Sequence, residues 1–183
     1  WRSTTLANFA SLNPESWTKR NPPLEIRYVD LSNTKQGTIE GAARMPWSDA
    51  PSRAQRILRT GDTIVGTVRP GNKSFALIGD EGMTGSTGFA VLRPLEKHCR
   101  DFVFLAATSP ENIERLTHLA DGAAYPAVRP AVVLASPVII PAEETVNDVL
   151  RGFANAVSNW VDAIDKNKQE SRTLAQLRDT LLP

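Results

Sequence analysis

The chain has 183 residues, 41% hydrophobic and 22% charged, which suits one ordinary globular domain with an appendage. The apolar content excludes a disordered tail, and there is no run of the roughly 20 apolar residues that a membrane helix needs. The net charge is only +1, but residues 1–100 hold 14 Lys or Arg against 9 Asp or Glu, whereas residues 101–183 hold 7 against 11. Positive charge is therefore concentrated in the first half.

The chain up to about residue 140 carries nearly all of the Pro and Gly, with short apolar runs between turn signals. This pattern is typical of a sheet-rich domain with many loops. We expect strands over residues 24–31, 63–68, 74–78, 88–92 and 131–140, and a hairpin-like loop over 69–73. Ser109 before Pro110 predicts the start of a helix that runs to about residue 120.

The segment from Glu143 to Leu182 has no proline and one glycine, Gly152, and its first two carboxylates favour a helix N-terminus. Apolar residues recur in it with alternating steps of four and three, the spacing of a coiled-coil seam, and resume after the polar Asn167 and Ser171. The predicted seam consists of Val146, Leu150, Phe153, Val157, Trp160, Ile164, Leu174, Leu177 and Leu181.

A single helix over this segment would be about 60 Å long, whereas a compact chain of this size is roughly 40 Å across. We therefore expect the helix to protrude and to pair with a helix of another copy or of a neighbouring subunit. The alternative is a break near Gly152 or Asn167, after which the helix folds back on its own domain.

Residues for catalysis or metal binding are scarce. Two histidines, His98 and His118, and one cysteine, Cys99, cannot form a four-ligand zinc site by themselves. A lone cysteine fits a reducing cytoplasm, where we expect it to fill apolar space. Residues 66–74 approach a phosphate-binding loop, but the spacing is wrong and a strand-like run follows. We predict no cofactor, no metal and no catalytic residue.

Several motifs occur in the order of one known family. Residues 59–69 read Arg-Thr-Gly-Asp-Thr-Ile-Val-Gly-Thr-Val-Arg, and residues 85–94 read Gly-Ser-Thr-Gly-Phe-Ala-Val-Leu-Arg-Pro. Residues 170–183 read Glu-Ser-Arg-Thr-Leu-Ala-Gln-Leu-Arg-Asp-Thr-Leu-Leu-Pro. With weaker matches at 26–31, 37–39, 102–105, 122–126 and 138–141, the whole chain resembles one half of a specificity subunit of type I restriction-modification systems.

The resemblance implies an α+β fold: a sheet-rich target-recognition domain, residues 1–141, followed by a long helix, residues 142–183. In that family each such domain reads one half of a split target in double-stranded DNA. Two such helices pair as an antiparallel coiled coil that docks the methyltransferase (modification) subunits. Adenine methylation and, with the restriction subunit, cleavage belong to these partners. Only one unit is present, which leaves half of a longer subunit and a half-length, dimerising subunit as alternatives.

The basic loops of the first half are the candidate DNA-reading residues, because Lys and Arg neutralise phosphates and a few polar side chains reach base edges. A short loop between two strands is preorganised, so its residues rank first, and Tyr125 and Arg129 are weaker candidates. A solvated surface position is the alternative for each. The candidates are Arg69, Asn72, Lys73, Arg44, Arg53, Arg56, Lys35, Gln36, Ser86 and Thr87.

A different class of function stays open from the residues alone. A non-catalytic coiled-coil adaptor, whose globular domain binds protein, would also combine a folded domain with a long amphipathic helix. The charge asymmetry and the order of the motifs favour DNA.

Overall fold

The computed structural model describes residues 1–142 and 145–181. Its strands are β1 (Arg2–Thr5), β2 (Ala10–Leu12), β3 (Glu25–Val29), β4 (Thr34–Lys35), β5 (Thr38–Ile39), β6 (Ala43–Pro46), β7 (Ala54–Leu58), β8 (Thr63–Gly66), β9 (Phe75–Leu77), β10 (Met83–Ser86), β11 (Phe89–Pro94) and β12 (Pro137–Ile140). Its helices are α1 (Arg100–Thr108), α2 (Pro110–Leu119), α3 (Pro130–Leu134) and α4 (Val146–Leu181). The predicted α+β class, with a sheet-rich domain before a long helix, is confirmed. Glu143 and Glu144 lie outside the described residues.

Two four-stranded sheets form the centre of the domain, in the orders β6-β3-β10-β7 and β2-β11-β8-β9. Strands β3 and β10 run parallel, and all other neighbours in these sheets are antiparallel. Two short ribbons, β1 with β12 and β4 with β5, complete the pairing. Because β3 and β10 are parallel neighbours in the first sheet, the loops that follow them lie at the same end. In the second sheet, the loop that follows β8 lies at this end too.

The second sheet lies between the first sheet and the helices. Successive side chains of a strand point to opposite faces. On β8, Ile64 joins a cluster with Val29 and Phe89 between the two sheets. Val65 instead joins a cluster that includes Val103 of α1 and Leu116 of α2. All four residues of β8 are buried, so the loop after this strand begins at a well-packed part of the core.

The turn into β8 is held by ion pairs. Gly61 has a φ of +89°, which favours glycine, and Asp62 is fully buried. The Asp62 carboxylate accepts two hydrogen bonds from the Arg93 guanidinium, both of 2.9 Å. Glu15 accepts from Arg93 and, at 3.0 Å, from Arg59. These hydrogen bonds from Arg59 and Arg93 lower the pKa of Glu15 to about 2. The charges of the two arginines are therefore compensated by carboxylates.

The predicted elements are confirmed with one exception, but seven strands among the described residues were not predicted: β1, β2, β4, β5, β6, β7 and β10. Four predicted strands coincide with β3, β8, β9 and β11, and the predicted 110–120 helix is α2, whose cap Ser109 accepts a hydrogen bond from the Asn112 amide at 3.2 Å. The strand predicted over 131–140 is wrong in its first half, which is α3: Pro130 occupies the first helical turn and Val133 is buried. Sequence reasoning also had no full account of α1.

Helix α4 is one continuous helix of 36 residues, with no break at Gly152 or Asn167. It is about 54 Å long, but its first two thirds lie on the domain. Leu150 is buried, the Ser158 hydroxyl donates to Asp101 at 2.5 Å, and Arg100 pairs with Asp162 at 2.9 Å. The helix was expected to protrude; in the structure its first two thirds are docked on the domain and only its C-terminal part extends away.

This docking corrects the predicted coiled-coil seam. Leu150 is buried and Val146, Phe153 and Val157 are half-buried, so these four residues have little surface to offer a partner helix. Ile164 lines a small cavity against the domain, although half of it is exposed. The predicted seam residues that remain open are Trp160, Leu174, Leu177 and Leu181.

Candidate nucleic-acid interface

Loops from separate parts of the chain meet at the end of the strands opposite Arg59 and Arg93. The Thr67 amide donates to the Gly88 carbonyl at 2.8 Å, and the Ser74 hydroxyl donates to the Leu31 carbonyl at 3.1 Å. The Gln36 amide donates to the Lys73 carbonyl at 2.9 Å. We call this area the loop surface and define it as residues 30–37, 53, 67–74, 86–88 and 121–129.

The loop predicted over 69–73 is a turn of 3-10 helix, Pro70–Asn72, flanked by two residues of left-handed backbone. Arg69 has a φ of 47° and Lys73 a φ of 58°, and Gln36 across the surface has a φ of 47°. Positive φ is uncommon for residues other than glycine and concentrates at functional sites. Arg69, Asn72 and Lys73 are all exposed, as sequence analysis expected of a reading loop.

The loop surface carries positive charge that is not compensated by ion pairs. Among residues 1–142 and 145–181, no ion pair involves Lys35, Arg69 or Lys73, whereas Arg59 and Arg93 pair with Glu15, Glu81 and Asp62. The exposed side chains of Lys35 and Lys73 are therefore available to an anion. Uncompensated cations of this kind attract a polyanion.

Arg69 is held by the loop that contains Tyr125. The guanidinium lies 4.9 Å from the centre of the Tyr125 ring and donates to the Ala124 carbonyl at 2.9 Å. The Arg69 amide donates to the Pro126 carbonyl at 2.7 Å. Tyr125, a weak candidate in the sequence, is thus a direct neighbour of the strongest one, and the sequence separation of the two residues concealed this contact.

Arg53 and Thr87 also belong to the loop surface. The Arg53 guanidinium donates to Asp30 at 2.5 Å and to the Tyr28 hydroxyl at 3.0 Å, and the Arg53 carbonyl accepts from the Thr87 amide. The hydrogen bond to Tyr28 and the pair with Asp30 raise the pKa of Arg53. Its charge is partly compensated, so Arg53 has less to offer a phosphate than Lys35 or Lys73.

Two sequence candidates, Arg44 and Arg56, lie away from the loop surface, and a third, Ser86, is buried within it. Arg44 lies on the edge strand β6, opposite Arg27. Arg56 lies within β7, where it is half-buried, donates to Ser16 at 3.2 Å, and has its pKa lowered by burial. Ser86, expected on a loop, is instead buried at the end of β10, where its hydroxyl accepts from the Gly88 amide at 3.2 Å. Ser86 shapes the loop rather than offering a free hydroxyl.

A second surface runs along the outer side of α4. Exposed apolar residues recur along it: Trp160 and Leu174 stand two heptads apart, and Leu177 and Leu181 follow with the steps of three and four that are typical of a coiled-coil seam. Trp160 is 73% exposed and Leu174 is 66% exposed, and Asn167 lies between them at the same heptad position. We call this set the open stripe, and its apolar members are Val149, Trp160, Leu174, Leu177 and Leu181.

The described residues contain no group of three or more His, Cys, Asp or Glu side chains that could hold a metal ion. Cys99 is buried in the cluster beside the helices, as predicted for an apolar filler, and burial raises the pKa of its thiol. A thiol in this state is a poor nucleophile. In the same part of the chain no helix is both long enough and apolar enough to span a bilayer.

The fold and the two surfaces define a class: a sheet-rich domain with an exposed basic loop surface, joined to a long helix that presents an exposed apolar stripe. No protein-family model matches the chain. A curated relative, the specificity subunit of the type I restriction enzyme HindI of Haemophilus influenzae, is 26% identical over 138 residues, which are 73% of this chain and 29% of that protein.

Solved structures give the same assignment. A chain in a structure of the assembly and conformational transition of a type I restriction-modification system matches 98% of this chain at 27% identity and a TM-score of 0.61. The HsdS subunit of Thermoanaerobacter tengcongensis matches 97% at 26% identity and a TM-score of 0.57. The type I S subunit of M. genitalium, at 15% identity and a TM-score of 0.57, shares the fold.

These comparisons confirm the resemblance that the order of the motifs indicated. In sequence and in fold this chain is similar to the specificity subunits of type I restriction-modification systems. It spans 46% of each of the first two structural relatives and 29% of the curated one.

Proposed function

We propose that the chain recognises a sequence in double-stranded DNA, as one half of a type I specificity subunit. The observation that carries the proposal is the loop surface, where preorganised loops present Lys35, Arg69 and Lys73 without ion-pair partners among the described residues. Type I specificity subunits are the proteins to which this chain is similar over nearly its full length.

The division of labour follows from the chemistry of the side chains. Lys35 and Lys73 are compact positive charges that suit phosphate oxygens. Arg69 has the planar fork that suits guanine, and Asn72 has the amide that pairs in two places with adenine. We assign phosphate contacts to the two lysines, and base contacts to Arg69 and Asn72, with Gln36 and Thr87 at the margin of the same surface.

The open stripe supports the second part of the proposal, an association through α4. An exposed apolar seam of this length is unfavourable in water and is covered when a second helix packs on it. The partner is the second recognition half, supplied by the same longer chain or by another copy. Asn167 within the seam fixes the register of the pair.

The chemistry belongs, in this proposal, to other subunits. The chain directs adenine methylation by a methyltransferase (modification) subunit and, in the full complex, cleavage by a restriction subunit, and it works in the cytoplasm without a cofactor. Co-purification from the native cell tests this part: a methyltransferase recovered with the chain supports it, and its absence contradicts it.

The experiment that tests DNA recognition is selection of duplexes from a randomised library by the purified chain, followed by titration of the enriched duplex at several salt concentrations. Enrichment of one short sequence, with an affinity that falls steeply with salt, is expected. Salt-insensitive binding or no enrichment contradicts the proposal. That result would favour the protein-binding adaptor, which needs no phosphate contacts.

A further inference from the structure

One side chain joins the long helix to the loop surface across the whole length of the chain. Lys168, on α4, donates from Nζ to the carbonyl oxygens of Gln36 and of Gly37, each at 3.3 Å. Both acceptors lie in the hairpin of β4 and β5, which carries Lys35 and Gln36. Charged donors make stronger hydrogen bonds to carbonyls than neutral ones do.

The hairpin is shaped to receive this lysine. Gly37 has a φ of +79°, and a Cβ atom at this position would lie 2.9 Å from Lys168 Nζ, so any larger residue would displace the ammonium group. The preceding Gln36 is also left-handed, with a φ of 47°. This backbone turns two consecutive carbonyl oxygens toward the same nitrogen atom.

The stem of Lys168 has a separate contact. Together with Leu77, Phe104 and Ile164 it lines a cavity of about 80 Å³ between α4 and the domain. Apolar packing therefore holds the helix here whether or not the ammonium group is present. A variant that loses only the charge therefore removes the hydrogen bonds to the hairpin and keeps the apolar contacts that dock the helix.

The hairpin is in turn hydrogen-bonded to the loop over residues 69–73 and to the start of β9. The Gln36 amide donates to the Lys73 carbonyl at 2.9 Å, and the Gly37 amide donates to the Phe75 carbonyl at 2.7 Å. A movement of the hairpin would therefore shift the backbone of Lys73. Helix α4 is also anchored to α1, by the ion pair of Arg100 with Asp162.

From this geometry we infer that Lys168 is a positioning residue for target recognition, an inference that rests on the proposed function. It fixes the hairpin of the loop surface to the helix that carries the open stripe. The reading surface and the pairing surface then keep one relative orientation, which two recognition halves need in order to read both parts of a split target in register.

The test compares three variants of the full chain. Lys168→Met removes the charge and keeps an apolar stem over the cavity, and Lys168→Arg restores a cationic donor. Lys166→Met is the matched control, because Lys166 is exposed on the same helix and pairs only with Glu170, at 3.8 Å, among the described residues. Hydrogen exchange of the Gln36 and Gly37 amides and selection from a randomised duplex library are measured for each.

In Lys168→Met the two amides, which donate to Lys73 and Phe75, are expected to exchange roughly tenfold faster. The reason is that the hairpin opens more readily once its carbonyl oxygens lose the charge-assisted hydrogen bonds from Lys168. The enriched sequence should also become less defined in Lys168→Met. Both the exchange rates and the enriched sequence should match the wild type in Lys166→Met and return most of the way to it in Lys168→Arg. Unchanged exchange in Lys168→Met would overturn the inference without touching the proposed function. Faster exchange with an unchanged enriched sequence would overturn the role in recognition.

Discussion

Asn72 is the simplest residue with which to test the reading loop, because it is exposed on the turn Pro70–Asn72 and its side chain has no partner among the described residues. Asn72→Ala should leave the stability unchanged and reduce discrimination at one position of the target by roughly 10- to 100-fold, the value of a two-point contact to adenine. Competition between the enriched duplex and its single-base variants measures this. Asn155→Ala, exposed on α4, is the control, and equal losses in both variants would contradict a reading role for Asn72.

Tyr125 is expected to act through Arg69. Its ring lies under the guanidinium at 4.9 Å, an arrangement that contributes about 0.5–2 kcal/mol. Tyr125→Ala should therefore weaken binding of the enriched duplex by about 2- to 30-fold, whereas Tyr125→Phe, which keeps the ring, should stay near the wild-type value. Titration of both variants at one salt concentration distinguishes them. A similar loss in Tyr125→Phe would indicate that the hydroxyl matters, and not the stacking on Arg69.

For single residues, the sequence predicted which side chains lie exposed on the loop better than it predicted which distant residues they contact. Arg69, Asn72 and Lys73 are exposed on a short loop, as their position between two strand-like runs indicated. The contact of Arg69 with Tyr125 and the burial of Ser86 depend on how distant segments meet in the folded domain. A chain position carries no local signal of such long-range contacts, which is why these two were not foreseen.

Among the elements, the turn into β8 gives the domain a defined acid sensitivity. Hydrogen bonds from Arg59 and Arg93 lower the pKa of Glu15 from 4.5 to about 2. A carboxylate with a lowered pKa stabilises the folded state above its unfolded pKa, and this stabilisation is lost as the pH falls through the folded value. Urea unfolding should therefore show a free energy of unfolding that declines as the pH falls from 4.5 toward 2.

Glu15→Gln is the variant that isolates this effect. It should be less stable than the wild type at neutral pH, and its stability should fall less over the same acidic range. Glu111→Gln, in the exposed first turn of α2, is a control that keeps the acidic decline of the wild type. An unchanged decline in Glu15→Gln would assign the acid sensitivity to other carboxylates.

The open stripe of α4 leads to a prediction about association. Trp160→Glu combined with Leu174→Glu places two charges in the seam and should weaken pairing of two copies by on the order of 100-fold or more, because each charge would be buried without a partner. Asn155→Glu with Gln176→Glu adds the same charge on another side of the helix as the control. Sedimentation velocity over a range of concentrations measures both, and equal association would exclude the stripe as the pairing surface.

Leu150 belongs to the opposite side of the same helix and should behave differently. It is 3% exposed and joins the core cluster beside α1 and α2. Periodicity predicted the length and continuity of α4, but it could not divide apolar positions between a partner helix and the domain itself, since both surfaces require the same spacing. Substitution of Leu150 is therefore expected to destabilise the domain rather than to block pairing alone. The same ambiguity of short apolar runs made residues 131–134 resemble a strand.

For the whole molecule, the net charge of +1 conceals the different surroundings of single cations. Arg59 and Arg93 are neutralised at one end of the strands, whereas Lys35 and Lys73 are unpaired at the other among the described residues.

If Lys35 and Lys73 contact phosphates, the double variant Lys35→Ala/Lys73→Ala should lower the slope of log affinity against log salt by about 0.9 for each contact, or about 1.8 in total. Lys97→Ala is the control, because Lys97 is exposed beyond the far end of β11. Filter binding of the enriched duplex over a series of salt concentrations measures the slopes. An unchanged slope in the double variant, or an equal reduction in Lys97→Ala, would remove the loop surface from the path of the DNA backbone. A reduced slope with the same enriched sequence would instead separate the two tasks, leaving affinity to the lysines and choice of sequence to Arg69 and Asn72.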